Sequence, residues 1–364
     1  MDSIRVLHIV SEMQRGGVEN MIMNFYRNID RNKIQFDFIV HGSNKGHFED
    51  EISELGGRIY HVTPKGESFI KNLKEINSVI KDNHYSIVHS HQDAMSMFAL
   101  KEAKKAGAKN RIAHAHSTSM PPSFLGKFIY PYAIKNMNKV ATHKFACSEV
   151  SAKYLFNNDL SNVFYLYNGI DTEKFSFKQA VRDEVREAND WKDELILGHI
   201  GNFLYPKNHE FVIKIFNELI QIHPNSKLIL CGSGHMMSEV KEQVIKLDLV
   251  EHVDFKGNVS NINSLMQGMD CLILPSLYEG FPVVTVEAQA ADLPIFISDV
   301  ITKETRITKA IDYLSLSDNP RVWAEHILYK VNSYQRENKI NDIINAGFDI
   351  KDVSSKLESL YLSM

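Results

Sequence analysis

Cysteine is scarce in this sequence. Cys147, Cys231 and Cys271 lie far apart and show no metal-ligand spacing, which argues against a disulfide framework or a cysteine metal site and implies a reduced, cytoplasmic setting. Cys231 and Cys271 fall in apolar, strand-like runs, as small buried hydrophobes do. No stretch approaches the roughly 20 apolar residues of a transmembrane helix. The N-terminus carries Asp2 and only a short apolar run, Val6 to Val10, so the basic head and long apolar centre of a secretory signal are missing. A basic excess is missing too, since the net charge is −4, the wrong sign for a generic nucleic-acid binder. The first strand-like run is not followed by the Gly-x-Gly-x-x-Gly fingerprint, which counts against a nicotinamide oxidoreductase.

What is present is the ordinary composition of a globular protein, 44% hydrophobic and 24% charged over 364 residues, a length that suits two domains. Strand-like runs alternate with amphipathic segments from the start: Arg5–Ser11, Gln35–Val40, Arg58–Val62, Ser86–His91, Asn110–His116, Lys144–Ser148 and Val163–Tyr167. That alternation is the signature of a parallel sheet with crossover helices. A polar stretch from about Ser176 to Glu194 interrupts it. A second series then runs through Leu195–Gly201, Lys227–Cys231, Val253–Lys256, Cys271–Pro275 and Ile295–Ser298. Two consecutive α/β sets predict two Rossmann-like lobes with parallel sheets facing a central cleft, 1–175 and 176–347. The amphipathic segment Ile350 to Leu362 closes the chain.

Chemistry concentrates where Leu272-Ile273-Leu274 runs into Glu279-Gly280-Phe281-Pro282 and on to Glu287. This is a strand ending at a helix N-terminus with a carboxylate on each side. Proline suits the first turn, whose N–H groups have no intrahelical partner, and neighbouring N–H groups can meet an anion at the positive end of the helix. The carboxylates would repel that anion and suit hydroxyl groups instead. A ligand with hydroxyls at both ends and phosphates between is a nucleotide sugar.

The string Pro275-Ser276-Leu277-Tyr278-Glu279-Gly280-Phe281-Pro282, followed by Glu287-Ala288-Gln289-Ala290, resembles glycosyltransferase family 4, retaining enzymes of the GT-B fold whose hallmark is two glutamates separated by seven residues. The resemblance implies an N-terminal acceptor-binding lobe, completed by a last helix, 348–364, that crosses back to it, and a C-terminal lobe that binds the donor. It also implies front-face displacement, in which the departing phosphate oxygen takes the acceptor proton. Lys207 and the helix starting near Pro282 would hold the leaving diphosphate without a metal; Glu279 would orient sugar hydroxyls and Glu287 the ribose. No Asp-x-Asp occurs in the chain, so the acidic metal motif of the other major glycosyltransferase fold is missing, and no cofactor is expected.

Further motifs extend the donor set. Gly16-Gly17-Val18-Glu19 after the first strand is a tight turn on its own terms; the resemblance makes it a loop over the donor phosphates. Gly201-Asn202 with Lys207 five residues on matches a family pattern in which Arg is usual at the position of Asn202. Asn offers a neutral donor where Arg offers a charged fork, and Arg15 is a candidate replacement. Cys231-Gly232-Ser233-Gly234 is equally well a steric turn or a nucleotide loop. Gly257-Asn258-Val259 matches the place where family members hold the base through backbone groups.

Histidines cluster at strand ends, His89 and His91, then His114 and His116, each pair on one face of its strand. Only Asp93 accompanies them at ligand spacing, so no metal is expected there. His89 and His114 are taken as structural. His116 falls where the family keeps a histidine beside the donor sugar, and His91 and Asp93 are acceptor-side candidates. From Ala103 through Ser148 there is no Asp or Glu, while Lys104, Lys105, Lys109, Arg111, Lys127, Lys135, Lys139 and Lys144 all occur, with Phe124, Leu125, Phe128, Ile129, Tyr132, Ala133 and Met137 among them. Such a segment suits either anionic lipid headgroups, at the inner face of the cytoplasmic membrane, or a core-facing helix with its lysines in water.

The resemblance therefore implies retaining transfer of a sugar from a UDP-sugar to a carbohydrate, lipid-linked acceptor in capsule or exopolysaccharide assembly. The alternatives are a GDP-mannose-dependent enzyme of the same fold and a non-catalytic sugar-nucleotide-binding subunit.

Overall fold

The computed structural model describes residues 3–117 and 126–364. It divides into two compact units, Met1–Gly169 with Gly347–Met364, and Ile170–Ala346. The first unit holds strands β1 (Ile4–Ile9), β2 (Ile34–His41), β3 (Ile59–Val62), β4 (Ile87–Ser90), β5 (Asn110–Ala115), β6 (His143–Ala146) and β7 (Val163–Tyr165). They form one sheet in the order β3-β2-β1-β4-β5-β6-β7, and every recorded pairing is parallel. Helices cover both faces, so strand residues on both sides are buried and β4 is buried along its whole length. The helix Gly17–Asn28 shows the same logic at element scale. Met21, Ile22, Phe25 and Tyr26 are buried, Glu19 lies in its first turn and Arg27 in its last, each charge complementing the helix dipole.

The second unit holds β8 (Leu195–Ile200), β9 (Ser226–Cys231), β10 (Val253–Gly257), β11 (Cys271–Leu274), β12 (Ile295–Ser298) and β13 (Ile311–Leu314), in the order β10-β9-β8-β11-β12-β13. Its recorded pairings are also parallel. The run Ile311-Asp312-Tyr313-Leu314 is absent from the strand-like runs read from the sequence. It is a four-residue edge strand with an internal Asp, too short to show a period. The charged stretch 176–194 contains a helix, Gln179–Ala188, without a buried residue. This helix is nonetheless tied to the second unit, because Arg182 and Arg186 both reach Asp270.

The C-terminal helix Ile350–Leu362 belongs to the first unit, and Asp349 caps it by accepting from the N–H groups of Lys351 and Asp352. Ile350, Val353, Leu357 and Tyr361 form its buried stripe and join a core containing Val6, Phe36, Phe38 and Ile112. Gly169 makes the approach possible, since a Cβ there would sit 2.9 Å from the Ile350 Cα. Glu358 accepts from the Asp30 N–H at 3.1 Å and from the Lys33 ammonium at 2.9 Å.

Candidate functional site

In a parallel sheet the strand order reverses at one point, and loops leaving the carboxyl ends there diverge to leave a ligand crevice. In the second unit that point lies between β8 and β11. The loop after β8 carries Lys207 and the loop after β11 carries Glu279; Lys207 Nζ donates to Glu279 Oε1 at 2.5 Å, with both side chains largely buried. Two more bonds fasten the loops, Leu277 N to Pro206 O at 2.8 Å and Asn208 Nδ2 to Pro275 O at 3.0 Å, and within the second loop Ser276 Oγ donates to Glu279 Oε1 at 2.9 Å. Asn208 adopts a left-handed φ of 54°, which turns the chain from this loop into the helix His209–Ile222. The Lys207 stem lies along Gly201, where a Cβ would come within 3.2 Å of it. Lysine and carboxylate are therefore held against each other by bonds of the loops themselves.

Glu287 lies on the helix Val283–Ala290, whose N-cap is Pro282 and whose first turn has no acidic residue. Its side chain keeps some exposure, yet the packing around the carboxyl strips its water. Burial pushes its pKa up to about 7, with Lys174 pulling the other way. Phe281 and Pro282 are buried, Gly280 half-buried. The glycine loop after β9 has a steric cause: Gly232 has φ 141°, and a Cβ on it would overlap the Gly201 carbonyl oxygen. Gly232 N also donates to Gly257 O at 2.8 Å, so the loops after β8, β9 and β10 lie side by side. Asn258 is exposed and Val259 and Asn202 half-buried.

In the first unit the reversal lies between β1 and β4, and there the histidines gather. His8 Nδ1 is 3.0 Å from His91 Nε2, and His91 Nδ1 is 3.0 Å from His116 Nε2. A second chain runs from the Tyr361 hydroxyl to His89 Nδ1 at 2.7 Å and from His89 Nε2 to His114 Nδ1 at 3.2 Å. His8 sits opposite His89 in the β1–β4 register. Two triples, His8 with His89 and His91, and His91 with His114 and His116, bring one nitrogen each to within 4.8 Å of one another. All five rings are held neutral by burial: His8 and His116 are pushed down to about 3, and His89, His91 and His114 also fall well below the ordinary value. His116 is then no proton donor of the imidazolium kind near neutral pH. It can offer or accept one hydrogen bond.

Asp93 fixes where His116 lies. Its Oδ1 accepts from the backbone N–H groups of His116 at 2.7 Å and Ser117 at 3.1 Å, and burial raises its pKa against those bonds. Gly16 precedes the helix Gly17–Asn28, and a Cβ on it would overlap the Glu19 carboxylate, whereas Gly17 is open. Arg15 Nε reaches His47 Nε2 at 3.0 Å.

Family models match both halves of the chain: "Glycosyltransferase Family 4" over residues 15–174 and "Glycosyl transferases group 1" over 181–346. The Bacillus subtilis putative glycosyltransferase EpsF is 37% identical over 334 residues, covering 89% of this chain and 86% of EpsF. The chain is a family 4 glycosyltransferase. Its relatives include the Staphylococcus aureus capsular polysaccharide biosynthesis glycosyltransferase CapH, 24% identical over 99% of both chains. An Escherichia coli enzyme, UDP-Gal:alpha-D-GlcNAc-diphosphoundecaprenol alpha-1,3-galactosyltransferase, is 21% identical over 99% of this chain and 97% of its own. The Anabaena protein HepE, solved with UDP-glucose, has a TM-score of 0.81 at 18% identity, covering 99% of this chain and all of HepE, so the glycosyltransferase has the GT-B fold.

Within this glycosyltransferase the structure brings Lys207 and Glu279 into contact, and likewise His91 with His116 and Asp93 with the His116 backbone. It also adds residues that carried no signal in the sequence. His8 lies in an ordinary apolar run and Tyr361 is distant in sequence; only the sheet register and the returning helix bring them to the cluster. Phe124 and Leu125 lie outside the described residues. On the helix Gly126–Met137, Ala133 and Met137 face inward, while Phe128 and Tyr132 are 69% and 55% exposed beside exposed Lys127 and Lys135.

Proposed function

We propose that this glycosyltransferase moves a sugar from a UDP-sugar to a carbohydrate hydroxyl on a lipid-linked acceptor, with retention and without a metal. The observation that carries the reading is the Lys207–Glu279 pair fastened across the reversal point of the second sheet, beside the start of the helix Val283–Ala290. An ammonium fixed beside a helix N-terminus suits a leaving diphosphate, whose charge grows as the glycosidic bond breaks; stabilising that charge is an electrostatic task. Glu279 accepts from Lys207 and Ser276 through Oε1, and in this reading its carboxylate also takes sugar hydroxyls. Glu287 takes the ribose. In the front-face step the bond from the anomeric carbon to the diphosphate breaks, the bond to the acceptor oxygen forms on the same face, and the acceptor proton passes to the departing phosphate oxygen. Neutral His116 holds the donor sugar.

The setting in this reading is capsule or exopolysaccharide synthesis, which the name of the S. aureus relative supports. The lipid-linked acceptor is supported by the diphosphoundecaprenol substrate in the E. coli relative's name and by the outward face of the helix Gly126–Met137, where Phe128 and Tyr132 stand among lysines as in segments that rest on anionic headgroups. No helix among the described residues is long and apolar enough to cross a membrane.

Calorimetric titration with UDP and GDP, in wild type and in Lys207→Ala, tests the donor site. Wild type should bind UDP more tightly than GDP, and the variant should lose affinity for UDP. Tighter GDP would move the donor to a GDP-sugar, and equal UDP affinity in both proteins would remove Lys207 from the diphosphate site.

A further inference from the structure

At the carboxyl edge of the first sheet one cation has no carboxylate beside it. Lys65 lies in the loop between β3 and the helix Phe69–Asp82 and is half-buried. Its ammonium donates to Gln92 Oε1 at 2.7 Å, and among the described residues no ion pair is recorded for it. Gln92 follows β4, so this bond reaches from the end of β3 over the ends of β2 and β1, across the reversal point. The other side of Gln92 is neutral as well: its Nε2 meets His41 Nε2 at 2.5 Å, and His41 Nδ1 meets Asn72 Nδ2 at 2.8 Å. Burial pushes the Lys65 ammonium down to about 8 and His41 to about 4, the lysine charge also disfavouring protonation of His41.

The nearby acids are occupied or turned outward. Glu75 accepts from the Thr63 N–H and hydroxyl and pairs with Lys71, Asp93 accepts from the His116 and Ser117 N–H groups, and Glu67 is exposed. The first turn of the helix Phe69–Asp82 contains no acidic residue. An ammonium taken largely out of water with one neutral partner is costly by itself, and the cost falls when an anion completes the site. Gln92 stands between His91 and Asp93, so that anion would lie next to the proposed acceptor position.

We infer that Lys65, presented by Gln92 and His41, is a binding site in the first lobe for a phosphate-type oxyanion, and that its occupant is the diphosphate of the acceptor. The inference rests on the proposed acceptor side of the same lobe, and it assigns the class of that acceptor, a glycan carried on a diphosphate. The donor's diphosphate has the same chemistry but belongs on the second lobe, so the test is made with the donor site filled.

Protein labelled with 13C at the lysine ε-carbons and saturated with UDP is titrated with inorganic pyrophosphate. The Lys65 signal, identified as the one missing from Lys65→Gln, should move and saturate over millimolar pyrophosphate, and acetate should move it less. A static Lys65 signal overturns the inference. If UDP does not bind, the donor site has failed, while the Lys65 signal still reports on this one. In transfer assays, Lys65→Gln should raise KM for a diphosphate-linked acceptor by about tenfold relative to the octyl glycoside of the same sugar, the scale of one charge-assisted hydrogen bond, and Lys65→Arg should recover part of that loss. An equal rise for both acceptors would show that Lys65 only supports the loop.

Discussion

Glu287 and Lys207 are residues whose surroundings decide their behaviour. The folded protein holds the Glu287 proton up to about pH 7, against an ordinary value of 4.5. Below 4.5 folded and unfolded chains are both protonated there and the residue is neutral to stability. Between 4.5 and 7 the folded state binds more proton than the unfolded one, so stability falls as pH rises, and above 7 the full penalty remains. Glu287→Gln should therefore match wild type near pH 4.5 and exceed it at pH 8, by on the order of a few kcal/mol, as urea denaturation at the two pH values would measure. If the carboxylate also takes the ribose, the same variant should bind UDP more weakly. A variant no more stable at pH 8 would show that the carboxyl is well solvated. Lys207→Ala should lower turnover of the folded protein by roughly 10²–10³-fold, the scale of losing one preorganised donor, and should also lower the midpoint of unfolding, because the largely buried Glu279 carboxylate loses its ion-pair partner. Wild-type turnover in that variant would exclude Lys207 from the chemistry.

At the scale of elements, the helix Gln179–Ala188 shows where a sequence can mislead. Its charged run Arg182-Asp183-Glu184-Val185-Arg186-Glu187 has the composition of a solvated connector. The function of its arginines depends on partners some 80 residues away: Arg182 donates to the carbonyls of Gln267, Gly268 and Met269, Arg186 to that of Gly268, and both to the Asp270 carboxylate. Arg336 adds bonds to the same carbonyls of Gln267 and Met269, at the end of the helix Ile262–Gly268, where cations suit the dipole. Asp270 also accepts from Ile196 N at 2.7 Å. Removing that carboxylate takes the counter-charge from the half-buried guanidinium groups of Arg182 and Arg186 and the acceptor from Ile196 N, so Asp270→Ala should destabilise the second unit by about 2–3 kcal/mol; equilibrium denaturation would read it, and a loss below 1 kcal/mol would mean that solvent replaces the carboxylate. The strands were legible in the sequence because each apolar run is local. The string around Glu279 was legible because both loops that meet there carry distinctive residues. The histidine chain and the Lys65–Gln92 bond were not, because each depends on which strands become neighbours, and no local pattern encodes that order.

At the scale of the whole molecule, titratable groups are divided unevenly between the two units. The first buries His8, His89, His91 and His114 and half-buries His41 and His116, all held as neutral rings, and the second buries His199 and His209. For such a histidine the unfolded chain takes up a proton as pH falls through 6.5, while the folded protein does not until near 3 for His8 and His116 and near 4 for His41 and His209. Each ring therefore removes stability as pH drops below 6.5, by up to about 1.4 kcal/mol per pH unit once the unfolded group is fully charged. In the second unit Glu287 acts in the opposite sense over 4.5 to 7. The first unit should thus fail first in mild acid, and the returning helix Ile350–Leu362 should fail with it, since Tyr361 is bonded to His89 and packed in the same core. Hydrogen exchange at pH 5 should show amides of β1, β4, β5 and that helix losing protection together while β8 and β11 keep theirs. Replacing His114 with Gln, which cannot take a proton, should shift that loss to lower pH. Simultaneous loss in both sheets would show that the two units unfold as one cooperative body, in which acid sensitivity in one lobe is felt by the whole chain.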